Sequence, residues 1–224
     1  CNECLYAGFS GKILQCAVNP HAFAEDYYPL GPVAPNKRVL VVGGGPGGIT
    51  AALTAAERGM QVELWEKRNV LGGLLLAAGG PSFKKDVKDY VDFLVQKLHR
   101  STVKVSLMKD GSAEEILRGN YDKGIFATGA TPIMPPIKGI DQSWVGGAND
   151  LLTSKKSYGK KVVVVGAGLV GCETACHAAQ SAESVTMIEM LPEILMTTSH
   201  SKNNDQALRQ LIQDSKVEAI TSAK

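Results

Sequence analysis

The sequence lacks long apolar runs and any strong excess of charge. No stretch approaches the roughly 20 apolar residues that a membrane-spanning helix needs, and no charged-then-apolar leader precedes the first domain. There are 24 lysines and arginines against 22 aspartates and glutamates, and the net charge of +2 is too small to indicate a nucleic-acid-binding surface. We therefore expect a cytoplasmic protein with no membrane and no nucleic-acid partner.

Cysteine is also scarce, and its placement is uneven. Three of the five cysteines, Cys1, Cys4 and Cys16, precede anything that looks like a folded core. In a reducing compartment, closely spaced thiols favour a metal centre over disulfides, so these three are candidate metal ligands. A structural zinc site and three free surface cysteines are the alternatives. Because the chain starts on a cysteine, we expect it to be a piece of a longer protein.

Glycine, by contrast, is abundant, with 24 residues, and it forms a motif that occurs twice. The stretch KRVLVVGGGPGGITAALTAAERGMQVELWE begins at Lys37, and KKVVVVGAGLVGCETACHAAQSAESVTMIE begins at Lys160. They align without a gap at an offset of 123 residues, with twelve of 30 positions identical. Each copy reads as a strand, a GxGxxG turn, a helix and a second strand that ends on a glutamate. The pattern predicts a duplicated βαβ unit.

Each position of the motif has a physical role in dinucleotide binding. The motif glycines are Gly43, Gly45 and Gly48 in the first copy and Gly166, Gly168 and Gly171 in the second. The first glycine allows a tight turn, the second lets the backbone approach a pyrophosphate, and the third lets helix and strand pack closely. Glu66 and Glu189 stand where a carboxylate accepts hydrogen bonds from an adenosine ribose. The alternative is a glycine-rich turn in an ordinary α/β sheet. We predict an α/β fold with two Rossmann-like units and two dinucleotides.

The remaining segments support the same reading. The run from Val87 to Leu98 has an apolar helical stripe, and TVKVSLM and YDKGIFATGATP resemble strands. The second of these strands ends in Ala127, Thr128 and Gly129, where small residues would let the backbone lie close to a ligand, or would simply form a strand-to-turn exit. Cys172 and Cys176 are predicted to be core residues of a helix packed on the sheet.

These motifs occur in an order that resembles one family. After the cysteine segment come "VNP", "VVGGGPGG", "ATGATP" and "GAGLVGCETA". The set resembles the C-terminal part of the iron–sulfur flavoenzymes related to 2,4-dienoyl-CoA reductase, enoate reductase and trimethylamine dehydrogenase, which are Old Yellow Enzyme-like NADH:flavin oxidoreductases. In that family a TIM barrel holding FMN precedes a 4Fe-4S segment and an FAD (or ADP) domain interrupted by an NAD(P)H domain. The resemblance implies a fragment of a larger chain lacking the N-terminal TIM barrel.

The resemblance implies three regions. They are a cysteine-rich iron–sulfur segment and linker at 1–36, the first part of an FAD- or ADP-binding domain at 37–138, and an incomplete NADH-binding domain at 139–224. Cys1, Cys4 and Cys16 match the last three of four cluster ligands, and the first would lie upstream of this sequence. We expect the fragment alone to lack the cluster, with a disordered cysteine segment.

The resemblance also assigns residues to the two nucleotides. For FAD it implies Gly43, Gly45, Pro46, Gly47, Gly48, Glu66, Lys67, Gly72, Gly73, Leu74, Lys84, Val105, Ala127, Thr128 and Gly129. For NADH it implies Gly166, Gly168, Leu169, Val170, Gly171 and Glu189. Leu74 stands where many relatives have glutamine, so only a backbone contact is expected there. Glu173 matches a family glutamate near the nicotinamide and is the candidate catalytic residue, although a helix-surface carboxylate is an equal alternative.

The implied function is electron relay. NADH would reduce FAD, and electrons would pass through the cluster to FMN in the missing barrel, where an activated C=C bond is reduced or an amine oxidised. The fragment alone would be inactive on that substrate, and an oligomeric intact enzyme is left open. The alternative is a non-redox module that holds structural ADP in the first site. Because no basic residue lies between Met187 and Met196, we expect NADH rather than NADPH.

Overall fold

A computed structural model describes residues 1–27, 31, 36–154, 157–196 and 201–223 of the chain. The chain divides into two compact units. The first unit comprises Pro29–Gly80 and Lys84–Met134, and the second comprises Cys1–Tyr28, Pro81–Phe83 and Pro135–Lys224. The domain limits expected from the sequence stay a prediction, and residues 28–30 and 32–35 of the expected linker lie outside the described residues.

The helices and strands are labelled in chain order. They are α1 (Glu3–Phe9), β1 (Arg38–Val42), α2 (Pro46–Glu57), β2 (Gln61–Glu66), α3 (Leu75–Ala78), α4 (Lys85–His99), β3 (Lys104–Leu107), α5 (Ala113–Arg118), β4 (Lys123–Phe126), α6 (Ala148–Leu152), β5 (Lys161–Val165), α7 (Leu169–Ala178), β6 (Ser184–Ile188), α8 (Lys202–Asp214) and β7 (Glu218–Ile220). A short 3₁₀ helix at Ser82–Lys84 precedes α4. None of the described helices is both long and apolar enough to cross a membrane.

The first unit is built on a four-stranded parallel sheet in the order β3-β2-β1-β4. β1 is an inner strand, and its three valines are all buried, as expected for a parallel strand covered on both faces. α2 carries small residues on its buried side, which lets its axis approach the sheet. The predicted stripe of α4 is confirmed, because Val91, Leu94 and Leu98 are buried. All four strands end at the same edge, which is where a ligand binds in such a sheet.

The second unit repeats this βαβ arrangement in a parallel sheet of order β5-β6-β7. Its core joins α7, α8 and β6, and it includes the predicted core residues Cys172 and Cys176, which are 0% and 3% exposed. Burial raises the pKa of the Cys172 thiol to about 12, so this thiol stays protonated and inert. Two βαβ units confirm the predicted α/β class with a duplicated Rossmann-like unit.

The two sheets differ at one edge. β1 pairs with β4, whereas β5 has no further strand beside it among the described residues. Val163 and Val165 of β5 are correspondingly 60% and 63% exposed, while Leu40 and Val42 at the matching positions of β1 are buried. Among the described residues, the sheet of the second unit therefore has three strands, one fewer than the sheet of the first unit.

Candidate functional site

The first GxGxxG turn leaves β1 at Gly43, where the chain bends towards α2. Gly43 has a φ of +112°, in the region that favours glycine, and its amide donates to the Trp65 carbonyl at 2.8 Å. Gly45 is the N-cap residue of α2, and it provides no side-chain cap. The amides of the first helical turn therefore remain available for a ligand, which is the arrangement that binds a pyrophosphate.

Close backbone contacts dictate the spacing of this motif. A Cβ atom on Gly43 would lie 2.2 Å from the Ala127 carbonyl oxygen, and one on Gly48 would lie 1.8 Å from the Gly43 carbonyl oxygen. Both positions therefore require glycine. A Cβ atom on Gly47 would meet nothing within 4 Å in the described chain outside its own helix, and Pro46 is the first residue of that helix. The outer side of the turn is open, as a phosphate-binding turn must be.

A second glycine loop passes over the same turn. The Gly72 amide donates to the Gly44 carbonyl at 2.8 Å, and a Cβ atom on Gly73 would lie 2.7 Å from the Gly45 Cα atom. Leu74 follows as the N-cap residue of α3, with its side chain half exposed. The fold thus brings Gly72 and Gly73, two of the predicted flavin-site residues, against the glycine turn at Gly44 and Gly45, and position 73 requires glycine for this approach.

Glu66 ends β2 beside the turn, and its side chain is only 5% exposed. Its Oε2 atom accepts from the Gly44 amide at 2.7 Å, and its Oε1 atom accepts from the Arg68 amide at 2.9 Å. These bonds fix the carboxylate and leave further lone pairs that could accept ribose hydroxyls. Lys67 follows the acid on the exposed side of the chain.

The other predicted flavin-site residues lie at different distances from this edge. Ala127 and Thr128 follow β4 directly and contact the turn at Gly43. Gly129 comes next with a φ of +77°. Lys84 ends the 3₁₀ helix before α4, and Val105 lies inside β3, where its side chain packs on the core.

Sequence reasoning predicted the strand at TVKVSLM but did not single out the residue of β3 that lies beside Glu66. Leu107, not Val105, pairs with Glu66, and the next residue, Met108, donates its amide to the Arg68 carbonyl at 3.1 Å. Leu107 and Met108 are 42% and 74% exposed, at the edge of the sheet where Glu66 ends β2. Strand register would have found them, because the residue that pairs with the acid must share its edge. Val105 stays a prediction.

The second copy reproduces this geometry at the same offset of 123 residues. The Gly166 amide donates to the Ile188 carbonyl at 2.8 Å, and the Ala167 and Leu191 amides donate to the Glu189 carboxylate at 2.6 and 2.9 Å. Hydrogen bonds from the Leu191 and Ala167 amides lower the pKa of Glu189 below its usual range. This carboxylate is therefore ionised at neutral pH, and it can act as a hydrogen-bond acceptor.

The rest of the second predicted set lies at the start of α7. Gly168 is the N-cap residue, and Leu169 and Val170 open the helix, with Val170 57% exposed. A Cβ atom on Gly171 would lie 1.9 Å from the carbonyl oxygen of the first motif glycine, as in the first copy. Glu173 lies one turn further along and is half-buried. Its catalytic role stays a prediction.

The two sites differ in the residues that follow the acid. In the first copy these are Lys67 and Arg68, and Arg68 Nε lies 3.6 Å from Glu66 Oε1. In the second copy they are Met190 and Leu191, which are 72% and 40% exposed. The two residues that follow Glu189 are therefore apolar, whereas the two that follow Glu66 are cationic.

The cysteine segment, defined here as residues 1–27, belongs to the second unit and contacts α8 there. Contrary to the expected disorder, its residues Glu3–Phe9 form α1. The Asn204 side chain of α8 donates to the Cys1 carbonyl at 3.0 Å and accepts from the Asn2 side chain at 2.7 Å. Cys1, Cys4 and Cys16 are unpaired thiols. Within the described residues, no three histidines, cysteines or acids are grouped to hold a metal ion.

Comparison with known proteins places the chain among nucleotide-dependent redox enzymes. A family model described as pyridine nucleotide-disulphide oxidoreductase matches residues 37–224. An NADH oxidase of Thermoanaerobacter brockii is 42% identical over 204 residues, which cover 87% of this chain and 31% of that protein. A cinnamate reductase of Clostridium sporogenes is 40% identical over 182 residues, which cover 81% of this chain and 27% of that protein.

A solved structure supports the same comparison. A 2-naphthoyl-CoA reductase superimposes with a TM-score of 0.89 at 31% identity, over 100% of this chain and 34% of that chain. The chain therefore spans about a third of the length of these proteins.

Proposed function

Because the chain belongs to the pyridine nucleotide-disulphide oxidoreductase family, we propose that it is the dinucleotide-binding part of an NADH-dependent flavin oxidoreductase. The comparisons confirm the expected resemblance to enoate-reductase-type flavoenzymes. One observation carries the proposal. The same turn, with the same acid held by the same two backbone amides, occurs twice in one chain. Two such sites suit one enzyme that passes electrons from one dinucleotide to another.

The first site is proposed to hold FAD. Its residues fit the group, because a Cβ atom on Gly47 would meet nothing within 4 Å in the described chain outside its own helix and one on Gly45 only the Gly73 Cα atom at 3.6 Å, so the outer side of the turn is open where a pyrophosphate would lie. When bound, FAD would accept hydride from a nicotinamide and release electrons. The chain's own residues bind and orient: the amides at the start of α2 face the phosphates, and Glu66 accepts ribose hydroxyls.

The second site is proposed to hold NADH in preference to NADPH. Glu189 keeps lone pairs for the two ribose hydroxyls after accepting from the Ala167 and Leu191 amides. A 2′-phosphate at the same place would face an ionised carboxylate and the apolar Met190, with no basic residue between Met187 and Met196. Binding of NADPH would therefore carry an electrostatic penalty.

For the intact protein we propose that Cys1, Cys4 and Cys16 are thiolate ligands of a 4Fe-4S cluster, and that a TIM barrel with FMN completes the enzyme. The spacing of the thiols and the family resemblance support this, but the described thiols are not grouped as a metal site. No step is therefore derived through the cluster. Iron and acid-labile sulfide in the intact enzyme, compared with a Cys4→Ser variant, test it: equal contents in the two proteins would refute the assignment.

The substrate of the intact enzyme is proposed to be a compound with an activated C=C bond rather than an amine. Two relatives of at least 30% identity are reductases, of cinnamate and of 2-naphthoyl-CoA. The redox part of the proposal is tested by anaerobic mixing of the intact enzyme with NADH while the flavin absorbance is followed. Rapid bleaching of the flavin is expected. An enzyme whose flavin stays oxidised with both NADH and NADPH would refute the proposed function.

A further inference from the structure

The duplication continues beyond the acid into a loop where the sequences have nothing in common. Gly72 and Leu195 are 123 residues apart, the same offset as the motif glycines. The Gly72 amide donates to the Gly44 carbonyl at 2.8 Å, and the Leu195 amide donates to the Ala167 carbonyl at 2.8 Å. Both donors have a positive φ, +114° and +59°. Each GxGxxG turn is therefore held by a matching amide from the chain after its acid.

This hydrogen bond, together with a longer one from the Cys172 thiol to the same Ala167 carbonyl at 3.3 Å, sets where the next amide points. In a trans peptide group the C=O and N–H point in opposite directions. When Leu195 holds the Ala167 carbonyl, the Gly168 amide of the same peptide group is directed to the other side of the turn. Glu189 holds the Ala167 amide at the same time, so both peptide groups around Ala167 are fixed. The amide of the second motif glycine is thereby aimed outward, as phosphate binding requires.

The two copies reach this arrangement with different amounts of backbone strain at the donor residue. Gly72 adopts a positive φ freely, whereas a residue with a Cβ atom is strained in the left-handed region. Leu195 offsets that strain by burial, because its side chain is 3% exposed within the core of the second unit. The preceding residue, Ile194, is anchored as well, since its carbonyl accepts from Arg209 of α8 at 2.9 Å. The amide of Leu195 is thus held from both sides.

We propose that Leu195 is a positioning residue of the second dinucleotide site. Its amide fixes the Ala167 carbonyl and so aims the Gly168 amide at the pyrophosphate, while its buried side chain keeps the amide in place. The inference rests on the proposed binding of NADH at this site. No contact between Leu195 and the nucleotide is required, since the residue acts through the turn.

The test compares the NADH affinity of two substitutions at Leu195. A residue that only fills the core predicts one order of affinity for them, and a residue that positions the turn predicts the opposite order. Leu195→Gly removes the buried side chain but keeps a positive φ accessible, whereas Leu195→Val keeps most of the side chain but disfavours that φ. If Leu195 only filled the core, the glycine variant would be worse in every assay. If it positions the turn, the glycine variant has the lower Tm, but the valine variant binds NADH more weakly.

In the intact enzyme we expect the Kd for NADH to rise about tenfold for Leu195→Val, and about threefold for Leu195→Gly. Leu208→Val is the matched control, because Leu208 lies in the same core and is 5% exposed. This control should lower the Tm about as much as Leu195→Val does, and it should change the Kd for NADH less than twofold. A backbone ester at position 195, which exchanges only the N–H for oxygen, makes the same test without altering the side chain, and should also raise the Kd about tenfold.

The outcomes separate the two levels of the hypothesis. The positioning role alone is refuted if the wild-type enzyme binds NADH and the variants at position 195 have an unchanged Kd. It is also refuted if their Kd values follow the order of their Tm values. A wild-type enzyme that does not bind NADH would refute the proposed function together with it.

Discussion

Replacing Glu189 with serine and Met190 with arginine is expected to shift the intact enzyme from NADH towards NADPH. The Glu189 carboxylate is held by two amides that lower its pKa, so it is charged at neutral pH. A 2′-phosphate carries a charge of about −1.5 to −2. Two unit charges 4 Å apart repel by about 1 kcal/mol in water and about 4 kcal/mol at an effective dielectric constant near 20. Discrimination of at least tenfold follows, since about 1.4 kcal/mol corresponds to a factor of ten.

The double variant removes this repulsion and supplies a cation. Met190 is 72% exposed, so an arginine at this position needs no rearrangement of the core. Its guanidinium would be free to pair with the 2′-phosphate. We expect the ratio of kcat/KM for NADH over NADPH to fall at least tenfold, mostly through the KM values.

The assay is anaerobic flavin reduction at varied concentrations of each nucleotide. Glu193→Ser is the matched control, because it removes the same charge from an exposed position of the same segment. This control should leave the ratio unchanged. The reasoning is refuted by a wild-type enzyme that uses NADPH as well as NADH, or by a control that shifts the ratio as far as the double variant does.

Three further outcomes are expected of the intact enzyme. Gly48→Ala places a Cβ atom 1.8 Å from a backbone oxygen. It should lower the free energy of unfolding by about 1–3 kcal/mol or more, the range for overpacking, and cause loss of bound flavin. Gly47→Ala has room for its Cβ atom and should retain the flavin. Because the folded-state pKa of Glu189 is lowered, its stabilising contribution is complete above the usual pKa of 4.5 and is lost as the pH falls through the folded value. Denaturant unfolding should therefore depend less on pH below 4.5 in Glu189→Gln than in the wild type. Asn204→Leu removes both hydrogen bonds to the cysteine segment and should speed its proteolysis, and equal cleavage of the exposed-site control Asn203→Leu would contradict this.

The parts of the fold that side chains encode could be predicted from the sequence. Apolar periodicity identified the strands and α4, and the glycine spacing with Glu66 and Glu189 identified both GxGxxG turns. Cys172 and Cys176, read as small buried thiols, identified the core face of α7. In each case packing, φ or charge requires a particular residue type, so the feature can be recognised from the amino-acid sequence.

The parts that depend on the backbone could not be predicted. Gly72 and Leu195 perform the same task through an amide that every residue except proline has, so nothing in their side chains marks them as equivalent. Leu107 was missed because strand register, and not composition, places it opposite Glu66. The docking of the cysteine segment on Asn204 joins residues about 200 positions apart in the chain, and no local pattern predicts such a contact.

The most direct test of the proposed electron relay is the identity of the nucleotide in the first site. An ADP moiety would satisfy the glycine turn and Glu66 as well as FAD does, so the site geometry serves both. We predict that denaturing the intact enzyme releases FAD, separable by chromatography from any FMN, at about one per chain. Release of ADP with no FAD would contradict the role of this unit as a flavin reductase and would leave it a structural nucleotide-binding module.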